Sequence, residues 1–302
     1  WFDVLMNNMS RDFSKVLLTL TGGHDSRTMM ALLEHAQINY SAFTMDHPRI
    51  EKQDIYIPQQ LCKKCKREWC LVNREKDKFS KDKFDAFDIH TFGMIQGDRE
   101  FYAYNQYPEE QRALLLRNSV WENVINWYEP MLPNLYDIKT FENQWINVAY
   151  DEPMRKSILA WIRHAKEVES KVDRYNRFFW EQRSGAWLAS LEQGLDILNG
   201  TISMQACNCK EIITLLYSFS KEDRTTKKFE EMIIAEACPE IADIPYAAKT
   251  TEKLKTIQRV IHIRERVIEK PKMFIYFYRN WGFLIAVKAL AKNMVKIIRR
   301  SG

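Results

Sequence analysis

Lys15-Val-Leu-Leu-Thr-Leu-Thr-Gly-Gly-His-Asp-Ser-Arg-Thr-Met-Met-Ala-Leu-Leu-Glu34 is the stretch on which the reading of this chain turns. Val16 to Leu20 has the continuous apolar character of a buried parallel strand, and Met29, Leu32 and Leu33 recur at helical spacing directly after a glycine pair. Strand, loop and helix therefore follow within twenty residues. Without Cβ atoms, Gly22 and Gly23 are free to take positive φ, so that backbone N–H groups converge on an anion at the positive end of the following helix. Phosphate is the natural guest. Thr21 and Ser26 bring hydroxyls that donate to phosphate oxygens, and Asp25 is a hard oxygen ligand of the kind Mg²⁺ takes when it also holds phosphates.

The order of residues narrows the class. No Gly-Lys-Ser/Thr is present, which removes the Walker-type loop, and no G-x-G-x-x-G is present here, which removes the dinucleotide fingerprint. Thr21-Gly-Gly-His-Asp-Ser26 instead resembles the S-G-G-x-D-S pyrophosphate loop of PP-loop ATP pyrophosphatases. That family cleaves ATP between the α and β phosphates. The competing reading is a tight strand-to-helix turn with a capping Asp.

Bulk properties place few bounds on this. A chain of 302 residues, 46% hydrophobic and 28% charged, has room for one large domain or two smaller ones. A net charge of +5 is mild and suits acidic or phosphorylated substrates without requiring nucleic acid. Six Cys without disulfide-like spacing point to a reducing compartment, and a cytoplasmic location is expected. The chain opens at Trp1 rather than Met, so an upstream segment is expected.

Along the chain, Ile38 to Met45 reads as a second strand, Glu51 to Lys66 as a helix despite Pro58, and Glu68 to Asn73 as a third strand. This β-α-β-α-β alternation calls for an α/β fold, a doubly wound and mostly parallel sheet with right-handed crossovers. Lys76 to Lys83 reads as a solvated loop, Phe84 to Tyr104 as helical, and Arg112 to Arg117 as a fourth strand. Pro130 to Pro153 is irregular and aromatic-rich, a wall or lid over a nucleotide cleft. Met154 to Ser218 reads as mostly helical, with Trp161, Trp180 and Trp187 as core anchors. The expected division is an ATP-binding α/β core over 1–150 and a mostly helical part over 151–302. Arg279, Lys288 and Lys292 interrupt the apolar tail and exclude a membrane-spanning helix there.

Two further stretches extend the resemblance to asparagine synthetase-like domains without the glutaminase domain, the branch that holds β-lactam synthetase and lasso-peptide cyclase relatives. Asn118-Ser-Val-Trp-Glu-Asn-Val-Ile-Asn-Trp-Tyr128 stands where that family has S-G-E-G-S-D-E-V-F-G-G-Y. Glu122 then occupies the place of the metal-binding Asp and Tyr128 that of the terminal Tyr, while Ser119 replaces a substrate-orienting Glu and the glycines are missing. A helix start with Glu122 exposed is the plainer reading. The third stretch runs from Asn208 through Lys227 and Lys228 to Ile244-Pro-Tyr-Ala-Ala248. In the family a Pro-bounded segment there delivers a catalytic Lys, for which Lys249 is the first candidate and Lys227, Lys228 and Lys253 are rivals.

What the resemblance implies is an amide-forming synthetase. ATP and Mg²⁺ convert a small-molecule or peptide carboxylate to an acyl-adenylate with release of pyrophosphate, and an amine or ammonia then displaces AMP. Thr21, Gly22, Gly23, His24, Asp25 and Ser26 would cradle pyrophosphate, Thr44 and Met45 would meet adenine, and Asp25 and Glu122 would hold the metal. An upstream or separate amidotransferase partner is compatible with this. Two alternatives stand beside it: a PP-loop enzyme that modifies tRNA, for which Cys62-Lys-Lys-Cys65 raises the question of an iron–sulfur cluster, and a nucleotide-binding relic without chemistry.

Overall fold

The apolar runs assemble as a five-stranded sheet in which every neighbouring pair is parallel. Strands β1 (Lys15–Thr19), β2 (Ser41–Met45), β3 (Glu68–Val72), β4 (Ala113–Leu116) and β5 (Ile202–Met204) lie in the order β3-β2-β1-β4-β5. This is a computed structural model that describes residues 1–13, 15–46, 50–72, 85, 89, 113–168, 172–190, 192–193, 196, 202–247, 274–275, 278–279, 282–288 and 291. The strand order is doubly wound. From β1 the chain moves one way through β2 to β3, then returns to the other side of β1 for β4 and β5. In such sheets the strand ends flanking the reversal open a crevice, here between β1 and β4.

β1 and β4 are central because they are apolar on both faces: Val16, Leu17 and Leu18 are buried, and all four residues of β4 are buried. β3 is different. Glu68 and Leu71 are exposed there, as suits a strand at the edge. The observed strands fall inside the stretches read as strands from the sequence. β5 is a correction, since Ile202–Met204 lies in the stretch read as helical. Three residues are too short for a periodic signal, and the strand is held by a side chain: Asp196 accepts from the Ser203 amide at 2.7 Å and from its hydroxyl at 2.8 Å.

Helix α1 is Phe2–Met9, α2 is His24–His35 and α3 is Lys52–Cys65. Further along come α4 (Ile138–Gln144), α5 (Ile146–Tyr150), α6 (Glu152–Glu167), α7 (Arg174–Phe178), a π-helical stretch over Phe179–Leu188, α8 (Lys210–Ser218), α9 (Lys221–Thr225) and α10 (Lys228–Ala237). α10 packs along α2, so the phosphate-loop helix is held from the C-terminal half of the chain. Met29, Met30 and Leu33 of α2 and Phe229 and Ile234 of α10 belong to one buried cluster with the strand residues.

The chain divides into two units, Trp1–Glu129 with Lys171–Ala247, and Pro130–Ser170 with Ala248–Gly302. This does not coincide with the expected split at residue 150, because β5, α8 and α10 join the sheet unit. The second unit contains α4, α5 and α6, so Pro130 to Pro153 is not irregular throughout. Asp137 and Asp151 cap α4 and α6 by accepting from Lys139 and Met154 amides at 3.0 Å, and Arg155 pairs with Glu142 at 2.9 Å. Trp161 is buried there, as expected. No helix among the described residues is long and apolar enough to cross a membrane. His90, Lys249, Lys253, Lys76 to Lys83 and most of Phe84 to Tyr104 lie outside the described residues.

Candidate functional site

The loop between β1 and α2 is braced by its own hydroxyls. Ser26 Oγ accepts from the Thr21 amide at 3.1 Å and lies 3.2 Å from Thr21 Oγ1, which accepts from the Gly23 amide at 3.3 Å. The Gly22 amide donates to Asp54 Oδ1 of α3 at 3.0 Å, and the Gly22 carbonyl accepts from the Ala247 amide at 3.0 Å. Neither loop glycine has positive φ, contrary to the expectation from sequence; Gly23 is extended at φ −80° and ψ 179°. Gly22 is required for close approach instead. A Cβ there would stand 2.9 Å from the Ala247 Cβ, 3.1 Å from Ile57 Cδ1 and 3.3 Å from Asp54 Oδ1.

A cavity of about 360 Å³ opens on this loop. Thr21, Gly23, His24, Asp25 and Ser26 line it from β1 and α2, with Met45 from β2. Asn118, Ser119 and Glu122 line it from the end of β4, and Lys227 closes it from α10. Gly23 to Ser26 form the first turn of a twelve-residue helix, so its positive end faces the cavity. Thr44 lies beneath, buried, its hydroxyl donating to the Leu20 carbonyl at 2.7 Å and accepting from Trp69 Nε1 at 2.9 Å.

The charged centre is Asp25 with Lys227, joined by a short ion pair between the Lys227 Nζ and Asp25 Oδ1. Lys227 sits at φ +62°, in the left-handed region that an ordinary side chain occupies at a cost, and this backbone aims its ammonium back at α2. Burial pulls the Lys227 ammonium down, but the charges of Asp25, Glu230 and Glu122 outweigh it and its pKa is raised. Glu230, fully buried, lies 3.7 Å from Lys227 and accepts from Thr28 Oγ1 at 3.3 Å. Burial, and then the nearby Asp25 charge, hold its carboxyl well above the usual range.

Glu122 is brought inward, which settles its exposure against the plainer reading from sequence. It lies on a 3-10 turn, Ser119–Val124, and its carboxyl is held above the ordinary range by burial first and by Asp25 second. Asn118 fixes that turn: its Nδ2 donates to the Thr19 carbonyl at 3.1 Å and so ties the end of β4 to the end of β1. Asp25 and Glu122 both line the cavity, and two carboxylates facing one space make a seat for a cation. Mg²⁺ bound through one or two carboxylates and substrate phosphates would fit this donor set, for which Asp25 and Glu122 would be the protein ligands. Among the described residues no cluster of three or more His, Cys, Asp or Glu is arranged for a metal, as that mode of binding does not need one.

Several residues of the site carried no signal in the sequence. Arg27, fully buried, donates through Nη1 to the Ile244 carbonyl and through Nη2 to the Pro245 carbonyl at 2.9 Å. Its guanidinium lies 3.9 Å from the Tyr246 ring, and the other partner of that ring is His24, stacked at 3.7 Å. Burial lowers the His24 pKa and its contact with Glu231, at 3.2 Å, opposes this. Arg183 lies 3.8 Å over Trp187, and both line the cavity, so Trp187 serves the site rather than the core. Arg117 and Glu192 complete the wall with Nε and Oε1 3.6 Å apart.

The paired cysteines do not reach this site. Cys65 interacts with the Cys238 thiol, which lowers its own pKa and raises that of Cys238. Asp54 braces the loop at the near end of α3, and the helical rise places Cys65 about 16 Å further along the axis.

Fold and site together define a doubly wound α/β protein with a cleft at the point where the winding reverses, onto which the first turn of α2 opens. No family model matches the chain, and no curated protein matches it. Among solved structures it is similar to the U34-tRNA thiolase NcsA from Methanococcus maripaludis with its 4Fe-4S cluster, at a TM-score of 0.28 and 14% identity over 69% of this chain and 83% of that chain. A likeness of that size carries no conclusion about activity.

Proposed function

We propose that the chain is a PP-loop-type ATP pyrophosphatase that activates a carboxylate as an acyl-adenylate and passes the acyl group to an amine. The observation that carries this is the meeting of Asp25, Glu122 and Lys227 over the Thr21–Ser26 loop, two carboxylates and one ammonium at the positive end of α2. The loop and helix end would receive the pyrophosphate, Asp25 and Glu122 would hold a cation whose charge would neutralise the phosphates, and Lys227 would offer a further positive charge beside the α-phosphate. Met45, at the end of β2, lines the same cavity, and adenine would meet the main chain of Thr44 and Met45 there. Lys249 keeps the role given it by resemblance as a proposal only, and a cytoplasmic location belongs to the same reading.

The test is carboxylate-dependent exchange of labelled pyrophosphate into ATP, over amino acids, peptides and sugar acids with Mg²⁺. AMP and pyrophosphate are the expected products; ADP and phosphate would overturn the reading. ATP binding without either product would make the chain an inactive relic. A second reading, modification of tRNA, rests on the thiols of Cys62, Cys65 and Cys238, two of them in contact. It requires tRNA affinity that falls steeply as salt rises. The separation of those thiols from the phosphate loop favours the first reading.

A further inference from the structure

A second cavity, of about 220 Å³, adjoins the first and shares Ser119, Leu188 and Glu192 with it. Its chemistry is different. No Lys, Arg or His lines it among the described residues, whereas Asn123, Ser184, Glu192, Gln205 and Asn208 bring amide, hydroxyl and carboxylate groups. The opposite wall is apolar, made by Val120, Trp180, Leu188 and Ala189. The polar wall is partly committed: Gln205 Nε2 donates to Glu192 Oε1 at 3.0 Å, and Ser184 Oγ donates to Asn123 Oδ1 at 2.7 Å. Gln205 Oε1 is buried without a partner among the described residues, and an unpartnered buried acceptor is destabilising unless a donor reaches it. Arg117, the cation beside Glu192, belongs to the first cavity.

Resting on the reading above, we propose that this second cavity is the acceptor subsite and takes a primary amine on a short apolar stem. An ammonium brings three donors and one positive charge to a wall that offers acceptors and one carboxylate, while its stem lies against Trp180 and Leu188. A carboxylate or phosphate ligand meets no cation there among the described residues. Ser119, Leu188 and Glu192 line both cavities, so an amine in the second would lie beside an acyl-adenylate in the first. In the transfer step the bound ammonium first gives one proton to the Glu192 carboxylate, and the nitrogen attacks the acyl carbon with the lone pair this frees. The bond from that carbon to the AMP oxygen breaks, the pair leaving on AMP, and the remaining surplus proton of the nitrogen passes to the departing AMP phosphate. Burial raises the Glu192 pKa, in the direction that makes it a better acceptor of that proton.

The experiment is calorimetric titration of the full chain with n-butylamine and with butyrate, which share a stem and differ in charge, without ATP. Butylamine is expected to bind saturably and butyrate not, and Glu192→Gln is expected to weaken the amine about tenfold. Ala189→Leu, which fills the cavity from its apolar wall, carries the same expectation should Glu192→Gln unfold the region through Arg117. Equal binding of both probes, no saturable amine binding, or amine binding untouched by both variants would overturn the subsite. Pyrophosphate exchange in the same preparation separates the two readings. Exchange without amine binding removes the subsite alone, and amine binding without exchange removes the synthetase reading while the cavity stands as an amine site.

Discussion

The ends of β1 and β4 lie side by side at the reversal of the sheet, and they are built in opposite ways. The loop after β1 is closed by neighbours in sequence, Thr21, Gly23 and Ser26 bonding one another within six residues. The turn after β4 has no such internal lock. It is placed by Asn118 reaching back to Thr19, by Tyr217 donating to the Asn123 carbonyl at 3.1 Å, and by Asn176 accepting from the Asn126 amide at 2.7 Å. A locally locked loop can be read from six consecutive residues. A turn held from outside depends on partners far along the chain, and it brings Glu122 to the cavity.

The comparison makes Asp25 the residue with the largest effect. Asp25→Asn removes the charge that pairs with Lys227 and holds the cation, and pyrophosphate release is expected to fall at least about a thousandfold. Retention of a tenth of the rate would show that the β1 side is not dominant. Lys227→Met comes next, with a loss of about a hundredfold in steady-state turnover, and it also leaves Asp25 and Glu230 without their shared cation. Adding ammonium salts should not restore it, since the ammonium must be held by the strained backbone at φ +62°.

Glu122→Gln tests the β4 side. Turnover should drop about ten- to a hundredfold with a raised Mg²⁺ requirement, whereas Ser119→Ala should cost less than about fivefold, a single hydroxyl contact. Equal losses at the two positions would mean that the turn acts as a unit and that Glu122 has no special role. The proton and the cation compete for Glu122, whose pKa is raised, so the Mg²⁺ requirement of the native chain should climb as pH falls and that of the variant should not.

The smallest effect is on stability. Glu230 has a raised pKa in the folded chain, so above the ordinary Glu pKa the folded state binds more protons than the unfolded one. Its contribution is complete in acid and is lost as pH rises toward the folded value, with a slope of at most about 1.4 kcal/mol per pH unit. Glu230→Gln should flatten that decline in urea denaturation measured between pH 5 and 8. An unchanged slope would place the proton elsewhere in the Asp25–Lys227–Glu230 group.

The local features were legible because each leaves its trace over a few consecutive residues. Leu17, Leu18 and Leu114 to Leu116 announce buried strands, and Thr21 to Ser26 announce an anion loop. Gly22 was noticed for the wrong reason: its backbone is ordinary, and what needs the missing Cβ is Ala247, more than two hundred residues away. β5 left no trace, being three residues held by Asp196. Lys227 stood only as a rival to Lys249, which the resemblance placed first, and its standing comes from the left-handed turn and the ion pair that joins it to Asp25.

By itself the sequence determined the α/β alternation and the position of the Thr21–Ser26 loop with Asp25, which rest on periodicity and on residues a few places apart, while Glu122 was named from a resemblance. Only the tertiary structure decided that Glu122 faces Asp25 rather than solvent, that Lys227 closes the pair, that Trp187 and Arg183 stand at the cavity, and that a second cavity adjoins it, lined by no cation among the described residues. The physical reason is the same in each case. Burial and charge pairing between distant segments depend on the strand order β3-β2-β1-β4-β5 and on the packing of α10 along α2, and neither is written in any one stretch of the chain.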